Sequence, residues 1–504
     1  MTDHARYTRD QLLEFARRRG VAVESGDLDE VIRQIDAALR TFDGLPDLPG
    51  DDGRIHAERD AGRHPTPVED PYNAIIRWCH VPGVAPGPLR GMRIGVKDNI
   101  AVAGVPMTEG RRSLAWTPTE DAVVVERLLA AGAVITAKTN LEPSDFGPTL
   151  NPLNVGVATG GSSSGSAASV AGALVDAAIG VDQGGSIRLP AAWCGIVGMK
   201  PTHGLVPSYG LAYCDHTIDT IGPMTRTVED NALLLEAIAG NDWRDPQWVR
   251  AMPTASRYAD MAGLGVESLR IGVIDDATRV GCTRATLQAF ERALELLASL
   301  GATVERVSIP LWSHAPAIWT AVVTAGVAAM ADSFGQGFGH LGRIDVARFA
   351  RLSAEYRDGV RAVPEVFGGA FTPIVFEAVK ALRGGLPFAR AQNLRRELTA
   401  QVDSALRGFD LLVAPTSPTG PVPLTAPQSD GGSQAQGSVA SNICPLNLTG
   451  HPALTLPAGA AGDARTTGFQ IIGRRFDERG VYRAAFAFEN AHCPAEGRTG
   501  AQGR

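Results

Sequence analysis

The chain has 504 residues, of which 44% are hydrophobic and 20% are charged, a composition typical of soluble globular proteins with a large core. Its net charge is −7, and no dense run of Lys or Arg marks a phosphate-binding surface, so the sequence argues against nucleic acid or an acidic membrane as a partner. Six cysteines are scattered without Cys-x-x-Cys pairs, which favours reduced thiols in the cytoplasm over a disulfide framework or a zinc site.

The first residues lack the apolar centre of a signal peptide and instead begin a helical pattern at 9–19, followed by a second at 27–41. Segments rich in Gly, Pro and Asp then continue to about residue 65. Beyond that point, short apolar strands alternate with helices of about 10 to 15 residues, a pattern typical of α/β folds. The sequence therefore predicts an N-terminal helical region with its linker at 1–65 and a catalytic domain at 66–504. The uncharged stretch at 307–331 contains proline and histidine, and it predicts a buried or pocket-lining helix rather than a membrane span.

Lysine is rare in this chain. Only four of the 47 basic residues are lysines, at positions 97, 138, 200 and 380. A buried lysine can lose its proton and act as a base, whereas arginine stays charged, so these four positions are candidates for proton transfer. Any one of them taken alone is as well explained by chance.

The segment with the densest candidate chemistry is 160–204, which contains a Gly/Ser loop ("GGSSSGS"), a run of small residues and then "GVDQGGSIR". Gly184 and Gly185 permit a turn in which successive backbone N–H groups point into one concavity, as an oxyanion site requires. Ser186 ends that turn. No histidine lies between His80 and His203 to serve it as a neighbouring base.

Other interpretations of this segment are weaker. A nucleophile elbow centred on Ser163 should follow a strand, but the residues before it are loop-like. A Ser-His-Asp triad needs only spatial proximity and stays open, although the histidines at 203, 216 and 451 lie among turn residues. No phosphate-loop or clustered metal-ligand motif is present in the sequence. A packed Gly/Ser loop without any chemistry also stays open.

Five stretches of the chain resemble the amidase signature family. They are "GVKDNIAVAGVPMTEG", "GAVITAKTNLEPSDFG", the Gly/Ser block ending in "GGSIRLPAAWCGIVGMKPT", "NLTGHPALTLPAG" and "GFQIIGRRFDE". The resemblance spans about residues 66 to 490. It implies an amidase-signature fold, in which a central mixed β-sheet is covered by helices on both faces, with a small N-terminal α-helical region added. That region resembles a dimerisation element, so a homodimer is expected.

The resemblance also implies a site. The nucleophile is Ser186, the bridging serine in a cis peptide is Ser162, and the base is Lys97, which accepts a proton from Ser162 as Ser162 accepts one from Ser186. Asp182 and Arg188 support the site as an ion pair. The oxyanion hole is formed by the backbone N–H groups of Gln183, Gly184, Gly185 and Ser186. Residues expected in the acyl pocket are Trp312, Trp319, Phe371 and Cys444. No metal or cofactor is required.

The main functional prediction is a free-standing hydrolase that cleaves the C–N bond of small-molecule carboxamides through an acyl-enzyme. A carbamate (urethane) hydrolase with the same triad is the first alternative. A glutaminase-type subunit of a transamidation complex is the second, and the acidic charge balance and the N-terminal helices argue against it. The chain departs from the family pattern before the Gly/Ser block, where "NPLNVGVATGGSSSGS" lacks an arginine and has Ser164 where glycine is common.

Overall fold

A computed structural model of the protein describes residues 8–18, 21–24, 26–45, 59–112, 115–212, 215–245, 257–332, 372–424, 439–461 and 465–492. The chain divides into two compact units, Met1–Gly53 and Arg54–Arg504. The smaller unit contains helices α1 (Arg9–Arg18) and α2 (Leu28–Phe42). The domain boundary predicted at residue 65 lies beyond the division at residue 53, because the first strand, at 60–63, already pairs within the larger unit.

Within the described residues, the larger unit contains twelve strands and the remaining helices. The strands are β1 (Asp60–Arg63), β2 (Ile75–Val81), β3 (Arg93–Lys97), β4 (Val134–Thr139), β5 (Ala177–Asp182), β6 (Val197–Lys200), β7 (Thr220–Thr225), β8 (Arg270–Ile274), β9 (Thr303–Val307), β10 (Leu411–Pro415), β11 (Ala453–Ala461) and β12 (Arg465–Ile472). The helices are α3 (Val123–Ala130), α4 (Ser164–Ala171), α5 (Arg188–Cys194), α6 (Val228–Ile238), α7 (Asp275–Thr278), α8 (Arg284–Ser299), α9 (Ala315–Asp332), α10 (Thr372–Arg383), α11 (Leu386–Gly408), α12 (Cys444–Thr449) and α13 (Glu478–His492).

All twelve strands form one sheet, in the order β1-β2-β4-β3-β5-β7-β6-β11-β12-β10-β8-β9. The neighbours β4, β3 and β5 are parallel, as are β10, β8 and β9, whereas the strands between and beside these groups run antiparallel. The sheet is therefore mixed, which confirms the predicted α/β fold class.

Both faces of the sheet are buried. Along β10, Leu411 and Val413 belong to one hydrophobic cluster, while Leu412 and Ala414 belong to another. Because successive side chains of a strand point to opposite faces, this alternation means that helices cover the sheet on its two sides. On one side α8 packs against β11 and β12, and on the other α9 packs against α11. None of the helices in the described part of the chain is long and apolar enough to span a membrane.

Candidate active site

Lys97 and Ser162, which the sequence separates by 65 residues, are in direct contact. Lys97 is the last residue of β3 and only 2% of it is exposed. Its Nζ donates a hydrogen bond of 2.7 Å to Ser162 Oγ. The peptide bond between Gly161 and Ser162 is cis. The structure thus brings together two members of the predicted triad, at the end of a strand where a buried amine meets a hydroxyl.

The predicted nucleophile, Ser186, lies in a tight turn between β5 and α5. The Ser163 N–H donates to the Ser186 carbonyl at 3.2 Å, and Ser163 Oγ donates to the Val181 carbonyl at 3.1 Å. These two bonds hold the Gly/Ser block against the turn. Since β3 and β5 are parallel neighbours, their carboxyl ends carry Lys97 and the serine turn to the same edge of the sheet.

A buried ion pair lies beneath this turn. Asp182 and Arg188 are both fully buried, and Asp182 accepts from Arg188 Nε and Nη2 at 3.0 Å each. The Asp182 carboxylate also accepts from the N–H groups of Gly185 at 2.8 Å and Ile187 at 3.2 Å. Burial alone would raise the pKa of Asp182, but the Arg188 guanidinium and the Asn447 amide outweigh it and lower that pKa to about 2. The turn is therefore shaped around a permanent charge pair.

Two residues that the sequence did not suggest complete this pair. Asn447 on α12 donates to Asp182 Oδ1 and accepts from Arg188 Nη2, each at 2.8 Å. Gln470 on β12 accepts from Arg188 Nη1 at 2.9 Å. Side chains from the last third of the chain thus satisfy charges beside the serine turn. Both residues lie in stretches that resemble the family, "NLTGHPALTLPAG" and "GFQIIGRRFDE", but these stretches carry no signal of their partners in the fold.

The hydrogen bond from Gly185 corrects one part of the predicted oxyanion hole. Its N–H group already donates to Asp182, so that amide belongs to the support of the turn. Gly185 has a φ of +118°, and a Cβ there would lie 2.0 Å from Ile443 Cδ1, so only glycine fits. The predicted donors that remain are the amides of Gln183, Gly184 and Ser186.

Trp319 covers the same turn. Its Nε1 donates to the Gln183 carbonyl at 3.1 Å, and a Cβ at Gly184 would lie 2.6 Å from the Trp319 ring. Among the residues predicted to line the pocket, Trp319 alone is placed beside the serine turn in the described part of the chain. The prediction was wrong for Trp312 and Cys444, which are 0% exposed and packed in a hydrophobic cluster of α9, α11 and α12. Phe371 lies outside the described residues.

Sequence reasoning also missed Glu142. Its N–H donates to the Ser162 carbonyl at 3.0 Å, and its Oε1 accepts from the Thr149 N–H at 3.2 Å. Burial raises the pKa of Glu142 to about 7, although hydrogen bonds from Thr149 and Ser164 oppose that rise. Ser164 stands where glycine is common in the family. Its side chain is buried, and its hydroxyl forms a hydrogen bond of 3.1 Å with Thr149 Oγ1. A protonatable carboxyl thus lies directly behind the bridging serine.

A second buried charge pair supports β3. Asp98 Oδ2 accepts from the Thr108 N–H at 2.8 Å, and Asp98 Oδ1 lies 3.7 Å from Lys138 Nζ, both side chains being fully buried. Lys138 also donates to the Ile100 carbonyl. Two of the rare lysines, Lys138 and Lys200, are therefore buried structural groups, and burial lowers the pKa of Lys200 to about 7. Within the described residues, no group of three or more His, Cys, Asp or Glu side chains is placed to hold a metal ion.

A sequence model of the amidase family matches residues 80–482, which include every residue of the site described above. The chain belongs to the amidase family. A solved structure of a bacterial aryl acylamidase of the amidase signature family is similar as well, with 26% identity, a TM-score of 0.67, and coverage of 84% of this chain and 90% of that one. The recognition of the amidase signature family is confirmed, and the protein is an amidase-type enzyme.

Other relatives in the family carry a more specific name. The A subunit of glutamyl-tRNA(Gln) amidotransferase from Exiguobacterium sibiricum is 36% identical over 439 residues, covering 84% of this chain and 88% of the relative. The crystal structure of the corresponding glutamyl-tRNA(Gln) amidotransferase protein of Thermotoga maritima is 32% identical, with a TM-score of 0.66, and the match covers 84% of this chain and 88% of that chain.

These relatives overturn two predictions from the sequence. The main functional prediction, a free-standing hydrolase of small-molecule carboxamides, is wrong, because relatives that align along most of both chains are named as one component of an amidotransferase. The prediction of a homodimer whose only other partner is a small-molecule substrate, with no nucleic acid, is wrong for the same reason. The transamidation alternative, which the charge balance had argued against, is the one that the comparisons favour over carbamate hydrolysis.

Proposed function

We propose that this protein is the amide-hydrolysing subunit of an amidotransferase complex of the glutamyl-tRNA(Gln) type, in which it releases ammonia from glutamine for partner subunits to use. The observation that carries the proposal is the identity of 36% to the Exiguobacterium sibiricum relative over 84% of this chain, combined with the contact between Lys97 and Ser162 in the matched region. The proposal requires partner subunits and a tRNA substrate for the complex as a whole.

The proposed reaction proceeds in two stages. Ser186 Oγ attacks the side-chain amide carbon of glutamine while its proton passes to Ser162 and a proton of Ser162 passes to Lys97. The relay returns a proton to the amide nitrogen, the C–N bond breaks and ammonia leaves. Water then attacks the resulting ester on Ser186, and glutamate is released. The 2.7 Å bond from Lys97 Nζ to Ser162 Oγ supports the second transfer of this relay.

Stabilisation of charge in the intermediate is assigned to the turn. The tetrahedral intermediate carries an oxyanion, and the amides of Gln183, Gly184 and Ser186 are the proposed donors. Asp182 and Arg188 act on this step by holding the backbone of the turn and of its neighbour. Asp182 accepts from the Gly185 N–H, and Arg188 Nη2 donates to the Ile443 carbonyl. They are positioning residues in this proposal and do not exchange protons with substrate.

The test is release of glutamate and ammonia from glutamine by the purified full-length chain, alone and with the other subunits of the complex and glutamyl-tRNA(Gln). We expect hydrolysis that rises on addition of the partners, formation of glutaminyl-tRNA, and loss of both activities in Ser186→Ala. Ser169→Ala is the matched control, since that buried hydroxyl donates only to the Ser166 carbonyl within the described contacts. Partner-independent cleavage of an aromatic amide faster than glutamine, with no glutaminyl-tRNA formed, would contradict the proposal.

A further inference from the structure

A large groove lies on the surface of the larger unit, apart from the serine turn. It has a volume of about 1110 Å³ and runs between one face of α11 and the turn that follows β12. We call it the arginine groove, and its walls are formed by Thr202, His203, Gln392, Arg395, Arg396, Thr399, Asp403, Leu406, Arg407, Leu448, Thr449, Gly450, Arg474, Arg475 and Phe476. None of the residues of the proposed reaction lines it.

The charge of the groove is strongly positive. Five arginines and one carboxylate, that of Asp403, line the groove, and Asp477 beside it lies 4.0 Å from Arg474, which leaves a surplus of three positive charges. Asp403 is already engaged, since its Oδ1 lies 3.1 Å from His451 Nε2 and its Oδ2 accepts from Arg475 at 3.3 Å. Burial lowers the pKa of His203 to about 3, so this wall residue is neutral near pH 7 and the positive charge comes from arginine.

Two of the five arginines have an acidic partner, since Arg475 pairs with Asp403 and Arg474 lies 4.0 Å from Asp477, whereas the other three have none within ion-pair distance in the described part of the chain. Arg395 donates from Nε to the Leu448 carbonyl at 2.6 Å and from Nη2 to the Thr217 carbonyl at 2.7 Å, which are neutral acceptors. Arg396 and Arg407 are exposed, and no carboxylate in the described part of the chain lies within ion-pair distance of them. These two lie eleven residues apart on α11, a span of about 16 Å along the helix axis. The groove thus presents cations over a length that several anionic groups can occupy.

The polar character of the groove indicates the kind of ligand. Nucleic-acid interfaces are more polar and much more positively charged than protein–protein interfaces, whose centres are depleted of charge. The guanidinium fork matches the two oxygens of a phosphate. Phe476, which is half-buried at the wall beside Arg475, adds an aromatic surface of the kind on which unpaired bases stack. A positive groove with an aromatic residue in its wall is the arrangement used for single-stranded nucleic acid.

We propose that the arginine groove binds the phosphate groups of a single-stranded segment of RNA. The choice of RNA as the source of phosphate rests on the proposed function, whose complex acts on a tRNA. The positive groove itself is independent of that function. An acidic protein segment and a free nucleotide are the competing occupants, and they are distinguished by experiment.

The test measures binding of a fluorescein-labelled 12-residue oligouridylate to the full-length chain by fluorescence anisotropy. Arg396→Glu combined with Arg407→Glu should weaken binding at least tenfold. The slope of log K against log salt should become shallower by about 1.4, the value expected when a single strand loses its interactions at two phosphates. Arg284→Glu combined with Arg292→Glu, two exposed positions on α8, applies the same change of charge elsewhere and should alter affinity less than threefold.

Several results would overturn the inference. They are no binding by the unmodified chain, an equal loss in the α8 control, tighter groove-dependent binding of polyglutamate than of RNA, or equally tight binding of AMP. Circular dichroism of each double variant checks its folding. Glutamine hydrolysis is measured on the same samples, so that loss of the proposed function and loss of RNA binding are seen separately. Groove-dependent RNA binding with no glutamine hydrolysis, even after the other subunits and glutamyl-tRNA(Gln) are added, would remove the proposed function and leave the groove assigned to RNA.

Discussion

The buried pair of Asp182 and Arg188 allows a sharp test of how the serine turn is held. Asp182→Asn keeps the shape of the side chain but removes its charge, so Arg188 remains buried without a carboxylate. Removing one partner of a buried pair costs about 3–5 kcal/mol, because an uncompensated charge is left behind. The lowered pKa, about 2 against an ordinary 3.8, corresponds by itself to about 2 kcal/mol for the charged form. We therefore expect the free energy of unfolding to fall by about 3 kcal/mol or more.

The same strand offers a matched control. Asp176, directly before β5, forms an ion pair with Arg93 at 2.8 Å, but these side chains are 24% and 49% exposed. Pairs exposed to water contribute about 0–1 kcal/mol, so Asp176→Asn should cost no more than that. Urea unfolding followed by tryptophan fluorescence compares the two variants with the unmodified chain. If Asp182→Asn destabilises the protein no more than Asp176→Asn, the charge pair does not hold the turn.

The pH dependence of this difference has a fixed sign. Because the folded-state pKa of Asp182 is lowered, its contribution to stability is complete above the unfolded value of 3.8 and is lost as the pH falls from there towards 2. The stability gap between the unmodified chain and Asp182→Asn should be constant between about pH 5 and pH 8, and should shrink below about pH 4. A gap that grows on acidification would refute the assignment.

Three further predictions concern the site. Both Lys97→Ala and Lys97→Arg should lower glutamine hydrolysis at least about 100-fold with an unchanged circular dichroism spectrum, since alanine has no amine and arginine cannot accept the proton. An active Lys97→Arg enzyme would exclude the relay. Because burial raises the pKa of Glu142 from 4.5 to about 7, the unmodified chain should lose stability as the pH rises through that range. Between about pH 5 and pH 8, the free energy of unfolding of Glu142→Gln, measured with urea, should therefore rise relative to that of the unmodified chain. A difference between the two chains that stays constant over this range would show that Glu142 is ionised throughout. Trp319→Phe loses the hydrogen bond to Gln183 but keeps a ring over Gly184, so kcat/KM should fall about fivefold, less than in Trp319→Ala. Equal losses in the two variants would mean that the packing of the ring over Gly184 does not contribute to kcat/KM.

The fold and the local parts of the site could be predicted because their signals are contiguous in sequence. The alternation of strands and helices predicted the mixed α/β fold, and the motifs around Lys97, Ser162 and Ser186 predicted residues of which the structure brings the first two into contact. Asn447 and Gln470 lie in two of the stretches that resemble the family, but their contacts with Arg188 could not be predicted, because they lie 259 and 282 residues from it. Their role exists only once β6 and β11 pair in the sheet.

The functional prediction failed for a physical reason. A net charge of −7 is an average over the whole chain and was used to argue against tRNA-linked chemistry. The arginine groove is assembled from α11 and from residues 474–475 after β12, which are separated by more than sixty positions. Its local surplus of positive charge is diluted in the average, and no run of basic residues reveals it. Trp312 and Cys444 show the reverse error, since buried residues of the core were taken for pocket residues.

The late arrival of Asn447 and Gln470 has a consequence for synthesis of the protein. A ribosome releases the serine turn long before it releases the helix and strand whose Asn447 and Gln470 form hydrogen bonds to Asp182 and Arg188. In the finished fold β11 pairs with β6, with Ala453 opposite Lys200, so the segment that carries these partners is tied to the sheet beside the turn. A chain that stops before residue 447 therefore contains Lys97, Ser162 and Ser186 but lacks two of the side chains that support the serine turn. The support of the serine turn is therefore complete only when both ends of the fold have been made.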